Sequence, residues 1–182
     1  MKTLIIGSSG FVGTSLKKML EDNQRDIIGT YFKNGNDKEN IFFLDLKDFN
    51  SVSKLISKIK PDEIINLSGS MNKNFFDEIL STNIISSINL YESLLKNKIN
   101  PKLISVSSSA QYGIQNHKNL VRESDPRNPV NIYGISKMAQ EKISNLYHQK
   151  GLNIVTIVPF NLIGPGISAN LLPGRIIQQF RE

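Results

Sequence analysis

Lys2-Thr3-Leu4-Ile5-Ile6-Gly7-Ser8-Ser9-Gly10-Phe11-Val12-Gly13 is an apolar run that enters a glycine turn and leaves it as an amphipathic pattern. The run before Gly7 reads as a buried strand, and the apolar spacing over residues 11–21 reads as a helix. Between two such elements the glycines acquire a purpose. They permit a tight turn, let the backbone approach a pyrophosphate and let the helix pack closely on the strand. The helix start meanwhile offers unpaired N–H groups and a partial positive charge to an anion. Gly7, Gly10, Phe11, Val12 and Gly13 are therefore candidate contacts for a dinucleotide. Without strand and helix on either side, three glycines would be equally consistent with an ordinary loop.

Working outward, short apolar runs alternate with longer helical patterns. Strands are expected at residues 2–6, 26–31, 41–44, 63–67, 102–106 and 153–158, and helices at 11–21, 51–59, 75–97 and 130–150. Pro61 and Pro101 each fall after a helix and just ahead of a strand, where a fixed φ and a missing N–H cost little. Polar loops are expected at 33–40 and 115–122. The pattern predicts an α/β fold, a doubly wound parallel sheet of the Rossmann type with helices on both faces.

The bulk properties narrow the function classes. A chain of 182 residues supports one substantial core. The net charge of +6 comes from lysines scattered over helix faces and loops, including Lys17-Lys18, Lys58-Ile59-Lys60 and Lys96-Asn97-Lys98, so nucleic acid is not expected as a partner. With no cysteine and two separate histidines, neither a disulfide nor a thiolate metal site is available, and no metal is expected. No apolar run approaches the roughly 20 residues that span a bilayer. The apolar stretch before Gly7 is too short for a signal peptide, which makes the cytoplasm the expected location.

The spacing Gly-x-x-Gly-x-x-Gly resembles the extended short-chain dehydrogenase/reductase family, and later segments extend the resemblance. It implies that Asp45 and Leu46 lie against the adenine of a nicotinamide dinucleotide, that Leu67, Ser68 and Gly69 lie under the cofactor, and that Asn83 matches the family's helix asparagine. Taken singly, Asp45 and Asn83 are equally well explained as turn or cap residues. The second strand ends in Gly29-Thr30-Tyr31-Phe32-Lys33, without the acid that usually accepts the ribose 2′-hydroxyl in NAD-selective sites. Lys33 is suited to a 2′-phosphate, so NADP(H) is favoured with NAD(H) open; an exposed loop lysine is the alternative.

Tyr133-Gly134-Ile135-Ser136-Lys137 places a phenol and an amine four residues apart, on one helix face. A phenol near pKa 10 is a poor proton carrier at neutral pH, and shifting it by about three units takes roughly 4 kcal/mol, which requires a desolvated cation rather than a surface contact. Ser105-Val106-Ser107-Ser108-Ser109-Ala110-Gln111-Tyr112-Gly113 leaves the fifth strand at the sheet edge where such folds bind ligands. The family resemblance implies Ser108, Tyr133 and Lys137 as the catalytic triad, with Ser109 as the alternative if the loop is one residue out of register and otherwise on the substrate side. It also implies that Glu123 and Asp125-Pro126 belong to the intervening stretch.

Val158-Pro159-Phe160-Asn161-Leu162-Ile163-Gly164-Pro165-Gly166 resembles the family's Arg-Pro-Phe-Asn-x-x-Gly-Pro-Gly, with valine in place of arginine. The resemblance implies a cofactor contact at Pro159 and a substrate contact at Asn161. Dehydratases of the family carry an acid pair directly after the catalytic hydroxyl, where this chain has Ser109-Ala110, so water elimination lacks its acid and base. The segments look closest to members that reduce 4-keto-6-deoxy-hexoses carried on GDP, with 4-epimerisation of a nucleotide sugar second. Residues 1–166 are expected to form the dinucleotide-binding domain and 167–182 the start of a substrate region, with Arg175 as a candidate phosphate contact or a surface charge. The C-terminal substrate domain of the relatives is expected to be largely absent, and apolar surface left uncovered would favour a homodimer. A Rossmann protein that binds the cofactor without turnover is the reading from a different class.

Overall fold

The computed structural model describes residues 1–33, 39–71, 75–115 and 120–180; the loops expected at 33–40 and 115–122 lie partly outside the described residues. Strands β1 (Lys2–Ile6), β2 (Asp26–Tyr31), β3 (Ile41–Phe43), β4 (Glu63–Asn66), β5 (Lys102–Val106) and β6 (Ile154–Ile157) form one sheet in the order β3-β2-β1-β4-β5-β6. Every pairing is parallel. The chain steps outward from β1 to β3 and then returns to place β4 on the other side of β1. The reversal between β1 and β4 is the topological switch point, outside whose carboxyl ends a crevice opens in folds of this kind.

Helix α1 (Phe11–Asp22) joins β1 to β2 and packs on those strands. Helices α2 (Phe49–Ile59), α4 (Ser86–Lys96) and α5 (Ile132–Gln149) belong to connections that step the opposite way, and α4 packs against both of the others. Right-handed crossovers therefore set α1 on one sheet face and this trio on the other, as a doubly wound fold requires. Beneath the trio lies the main core: Leu4, Ile6, Ile28, Ile64, Leu103 and Ile154 from the strands meet Val52, Ile56, Leu90 and Leu94 from the helices. Tyr91 is wholly buried there, its hydroxyl bonded to those of Ser105 and Ser144.

Local chemistry sets the helix starts. Asp48 accepts from the N–H of Asn50 at the start of α2, and Asn131 accepts from that of Gly134 at the start of α5. The expected helix at 75–97 is continuous but uneven: α3 (Phe76–Leu80) runs through a π-helical segment, Ser81–Ile85, into α4. A short 3₁₀ turn, Ser109–Tyr112, and helix α6 (Leu172–Gln179) were not expected as separate elements. β3, β4 and β6 are each slightly shorter than the sequence pattern suggests, because their terminal residues turn into loops. Among the described residues no helix is long and apolar enough to cross a membrane.

The junction of β1 and α1 depends on Gly13. A Cβ there would lie 2.2 Å from the Gly7 carbonyl oxygen and 2.7 Å from Ser8 Cα, both backbone atoms that have no room to yield. Gly13→Ala should therefore push α1 off the turn and destabilise the protein by about 1–3 kcal/mol, the usual range for overpacking. Denaturant unfolding measures the loss, and an unchanged midpoint would show that the helix does not need this close approach.

Candidate active site

The first turn is fastened to β2 before any ligand is considered. Gly7 N–H donates to Thr30 Oγ1 at 3.2 Å, while the N–H and the hydroxyl of Ser8 donate to the Thr30 carbonyl at 2.9 and 3.0 Å. Helix α1 then begins at Gly10 with no side-chain cap and no acidic residue in its first turn. The N–H groups of Phe11, Val12 and Gly13 thus keep the unpaired character of a helix start, the arrangement that receives phosphate. The Phe11 ring faces the backbone of Gly164 and Gly166.

Beside this turn, at the switch point, lies a cleft of ≈ 300 Å³. Gly7 and Gly10 line it from the turn, Asp45 and Leu46 from the exit of β3, and Leu67, Ser68 and Gly69 from the exit of β4. Tyr31, Phe32 and Lys33 line it from the exit of β2, and Glu78 and Thr82 from the helical run after β4. The Asp45 carboxylate also accepts the Lys47 N–H at 2.9 Å, so it shapes a turn as well as the cleft wall. Lys33 Nζ is 3.2 Å from the Glu78 carboxylate.

Ser108, Tyr133 and Lys137 lie past Gly69, outside the wall of this cleft. Ser108 caps the 3₁₀ turn, accepting the Ala110 N–H at 3.2 Å, and its hydroxyl lies beside the Tyr133 phenol. Burial pushes the Tyr133 phenol above its ordinary pKa, and the nearby Ser108 hydroxyl pulls in the other direction. Lys137 is 4 % exposed. Its Nζ donates to the Val106 carbonyl at 3.0 Å and to Gln140 Oε1 at 2.8 Å. A Cβ on Gly69 would stand 3.3 Å from that amine, so the missing side chain leaves the lysine open toward the cleft rim. The amine bonds to a carbonyl and an amide rather than to the phenol, and Tyr133 is held up by desolvation instead of being drawn down by the cation.

Asn83, in the π-helical segment, joins the two regions. Its amide accepts the Ser70 N–H at 2.9 Å, donates to the Ser70 carbonyl at 3.1 Å and donates to Ser136 Oγ at 2.9 Å. The loop after β4 is thereby fixed against α5, one residue from Lys137. Sequence reading found Asn83 only through resemblance, and it missed Gln140 and Ser136, which share α5 with Lys137. The i, i+3 spacing of Lys137 and Gln140 was a usable signal. Glu78 had none, because its partner is 45 residues away.

The remaining expected residues are peripheral. The Ser109 N–H donates to the Pro159 carbonyl at 3.0 Å, tying the serine loop to the segment after β6. Asn161 and Arg175 are exposed, the latter on α6. Among the described residues no group of three or more histidine, aspartate or glutamate side chains is placed to hold a metal. The uncapped first turn, the glycine at position 69 and the cleft beside them fit a dinucleotide.

Comparison with known proteins agrees with this geometry. Residues 3–182 match the model of the NAD dependent epimerase/dehydratase family. The chain is 32% identical over 186 residues to GDP-6-deoxy-D-talose 4-dehydrogenase of Aggregatibacter actinomycetemcomitans, covering 99% of this chain and 59% of that protein. The crystal structure of Bordetella bronchiseptica WbmH with NAD+ superposes with a TM-score of 0.81 at 26% identity, over 99% of this chain and 62% of that one. RMD from Pseudomonas aeruginosa, complexed with NADPH, shares the fold at a TM-score of 0.82 and 23% identity, over 98% of this chain and 58% of that one. The chain thus spans about three-fifths of the length of these proteins.

Burial lowers the Lys137 pKa from 10.5 to about 8. The folded state therefore disfavours the lysine proton, and below pH 8 the protein carries that penalty in full. Between about pH 8 and 10.5 the unfolded lysine still binds a proton that the folded one has released, so this contribution grows more favourable as pH rises. Parallel denaturant titrations of wild type and Lys137→Met should show their stability difference moving in favour of wild type across that interval. A flat difference would mean that the amine is not desolvated.

Proposed function

The chain belongs to the NAD dependent epimerase/dehydratase family, and from that premise we propose that it is the cofactor-binding and proton-transferring lobe of an NAD(P)-dependent oxidoreductase acting on a nucleotide-linked sugar. In this reading residues 1–166 are the dinucleotide-binding domain and 167–182 open a substrate region. The observation that carries the proposal is the placement of Ser108 beside the Tyr133 phenol, with the buried Lys137 one turn further along α5, at the carboxyl edge of a sheet whose first turn suits a diphosphate.

Within this proposal Phe11, Val12 and Gly13 receive the diphosphate, Asp45 and Leu46 flank the adenine, and Leu67, Ser68, Gly69 and Pro159 border the nicotinamide half. Lys33 favours the 2′-phosphate of NADP(H), while NAD(H) also fits the cleft. When bound, the dinucleotide exchanges a hydride with the sugar at C4. Tyr133 transfers the proton at the sugar oxygen. Ser108 hydrogen-bonds that oxygen and orients the phenol. Lys137, charged below about pH 8, holds the cofactor ribose and supplies the positive field that a developing phenolate needs. Burial alone holds the phenol too high for this task, so the cation must act when cofactor and substrate exclude water.

The reaction favoured is reduction of a 4-keto-6-deoxy-hexose on a nucleotide, with GDP as carrier. Oxidation at C4 of a 6-deoxy sugar, the activity in the name of the Aggregatibacter protein, is the same equilibrium read in the other direction. Ala110 follows Ser109 where dehydration needs a carboxylate. Asn161 and Arg175 are assigned to the substrate side. A cytoplasmic homodimer completes the proposal, supported by exposed apolar side chains such as Ile157 and Phe160.

Tyr133→Phe should lower turnover of a 4-keto-6-deoxy sugar nucleotide by about 10²–10⁴-fold, the usual worth of a positioned acid or base, with cofactor affinity nearly unchanged. Loss of reduced-nicotinamide absorbance measures it. Unchanged turnover removes Tyr133 from the mechanism. Sugar inversion without net cofactor consumption would instead identify the 4-epimerase, and dinucleotide binding with neither reaction would identify a non-catalytic cofactor-binding protein.

A further inference from the structure

The second strand ends without a carboxylate, yet the same part of the cleft contains one. Glu78, in the first turn of α3, lines the cleft together with Lys33. One of its carboxylate oxygens lies 3.2 Å from Lys33 Nζ and accepts the Ser70 hydroxyl at 3.4 Å. Sheet order explains the meeting. Lys33 follows β2 and Glu78 follows β4, the two strands that flank β1. The carboxylate is the more enclosed partner, its side chain 29% exposed against 66% for the lysine.

The two nicotinamide dinucleotides differ at one group, a 2′-hydroxyl or a 2′-phosphate. Lys33 by itself would draw the phosphate. A carboxylate in contact with that lysine acts against it twice, by neutralising the cation and by repelling a second anion that approaches it. Toward a hydroxyl the same carboxylate is a good acceptor. An exposed ion pair is weak, so the mobile lysine leaves it readily, whereas Glu78, backed by Ser70, remains as the fixed charge.

We propose that Glu78 sets which dinucleotide this site accepts: it supplies from the helix after β4 the acid that β2 lacks, and it restrains the preference of Lys33 for NADP(H). The inference rests on reading the cleft as the adenosine end of a dinucleotide site. It makes the wild-type chain accept both cofactors, with affinities within about tenfold of each other.

Titration of the intact chain with NADH and with NADPH, followed by nicotinamide fluorescence, tests this. Glu78→Gln keeps the shape and removes the charge, and should raise the NADPH-over-NADH affinity ratio about tenfold, equivalent to about 1.4 kcal/mol. The rise should shrink at high salt, as a charge effect does. Lys33→Gln, at a position two-thirds exposed and so safe for folding, should lower the ratio. In Glu78→Gln/Lys33→Gln the two shifts should not multiply, because the charges are coupled. If the chain binds both dinucleotides but neither single variant moves the ratio, the role of Glu78 is overturned and the cleft assignment stands. Should the wild-type chain bind neither dinucleotide, both are overturned.

Discussion

A lysine with 4 % of its surface exposed has to be held, and holding Lys137 organises the carboxyl end of β5 and the helices beside it. Its amine takes a carbonyl from the end of β5 and the side chain of Gln140 from its own helix. Gln140 in turn donates to Ser87 on α4, and the Ser87 hydroxyl donates to the Asn83 carbonyl in the π-helical segment. Ser107 Oγ, just after β5, adds a bond to the Lys137 carbonyl. Strand, helix and irregular turn are thereby joined around one desolvated charge. Leaving any of these buried polar groups unpaired would cost about 1–3 kcal/mol, so the network has little freedom to rearrange.

The same network accounts for the irregular helix. A regular run from 75 to 97 was the natural reading of the apolar spacing, and most of it is helical. The five residues Ser81–Ile85 depart from it where Asn83 serves the Ser70 backbone and the Ser136 hydroxyl at once. Single π turns inside helices recur at functional sites because they present a side chain that an even spiral would direct elsewhere. Here that side chain binds the loop after β4 to α5.

What could be read from the sequence was what lies close in the chain or repeats with a period. The strand runs, the glycine turn and the Tyr133–Lys137 spacing are of this kind, and the alternation of strands and helices gave the parallel, doubly wound class. The Ser108 hydroxyl reaching Tyr133 joins residues 25 positions apart; no periodicity could show it, and only family resemblance pointed there. Lys33 is the opposite case. As a sequence feature it was a cation without an acid at the end of β2; the acid arrives from β4 through tertiary structure, which a scan of local residues does not see. The tyrosine's electrostatics were misjudged for a related reason. Proximity on a helix face suggested that the lysine lowers the phenol, whereas the structure gives the amine other partners and leaves burial in control.

The distribution of the site along the chain limits what each part decides. Everything that fits a dinucleotide's phosphates and every group proposed for proton transfer lies between Gly7 and Lys137, on β1, β4, β5 and α5 and the turns that follow the strands. These are bonded to one another, and the bond from the Ser109 N–H to the Pro159 carbonyl ties them to the segment after β6. Asn161 and Arg175, the candidates for contact with the sugar nucleotide, are exposed and carry no part of that network. The relatives named above are longer than this chain. One family holds epimerases and dehydratases on the same scaffold, so the fold by itself does not choose the reaction.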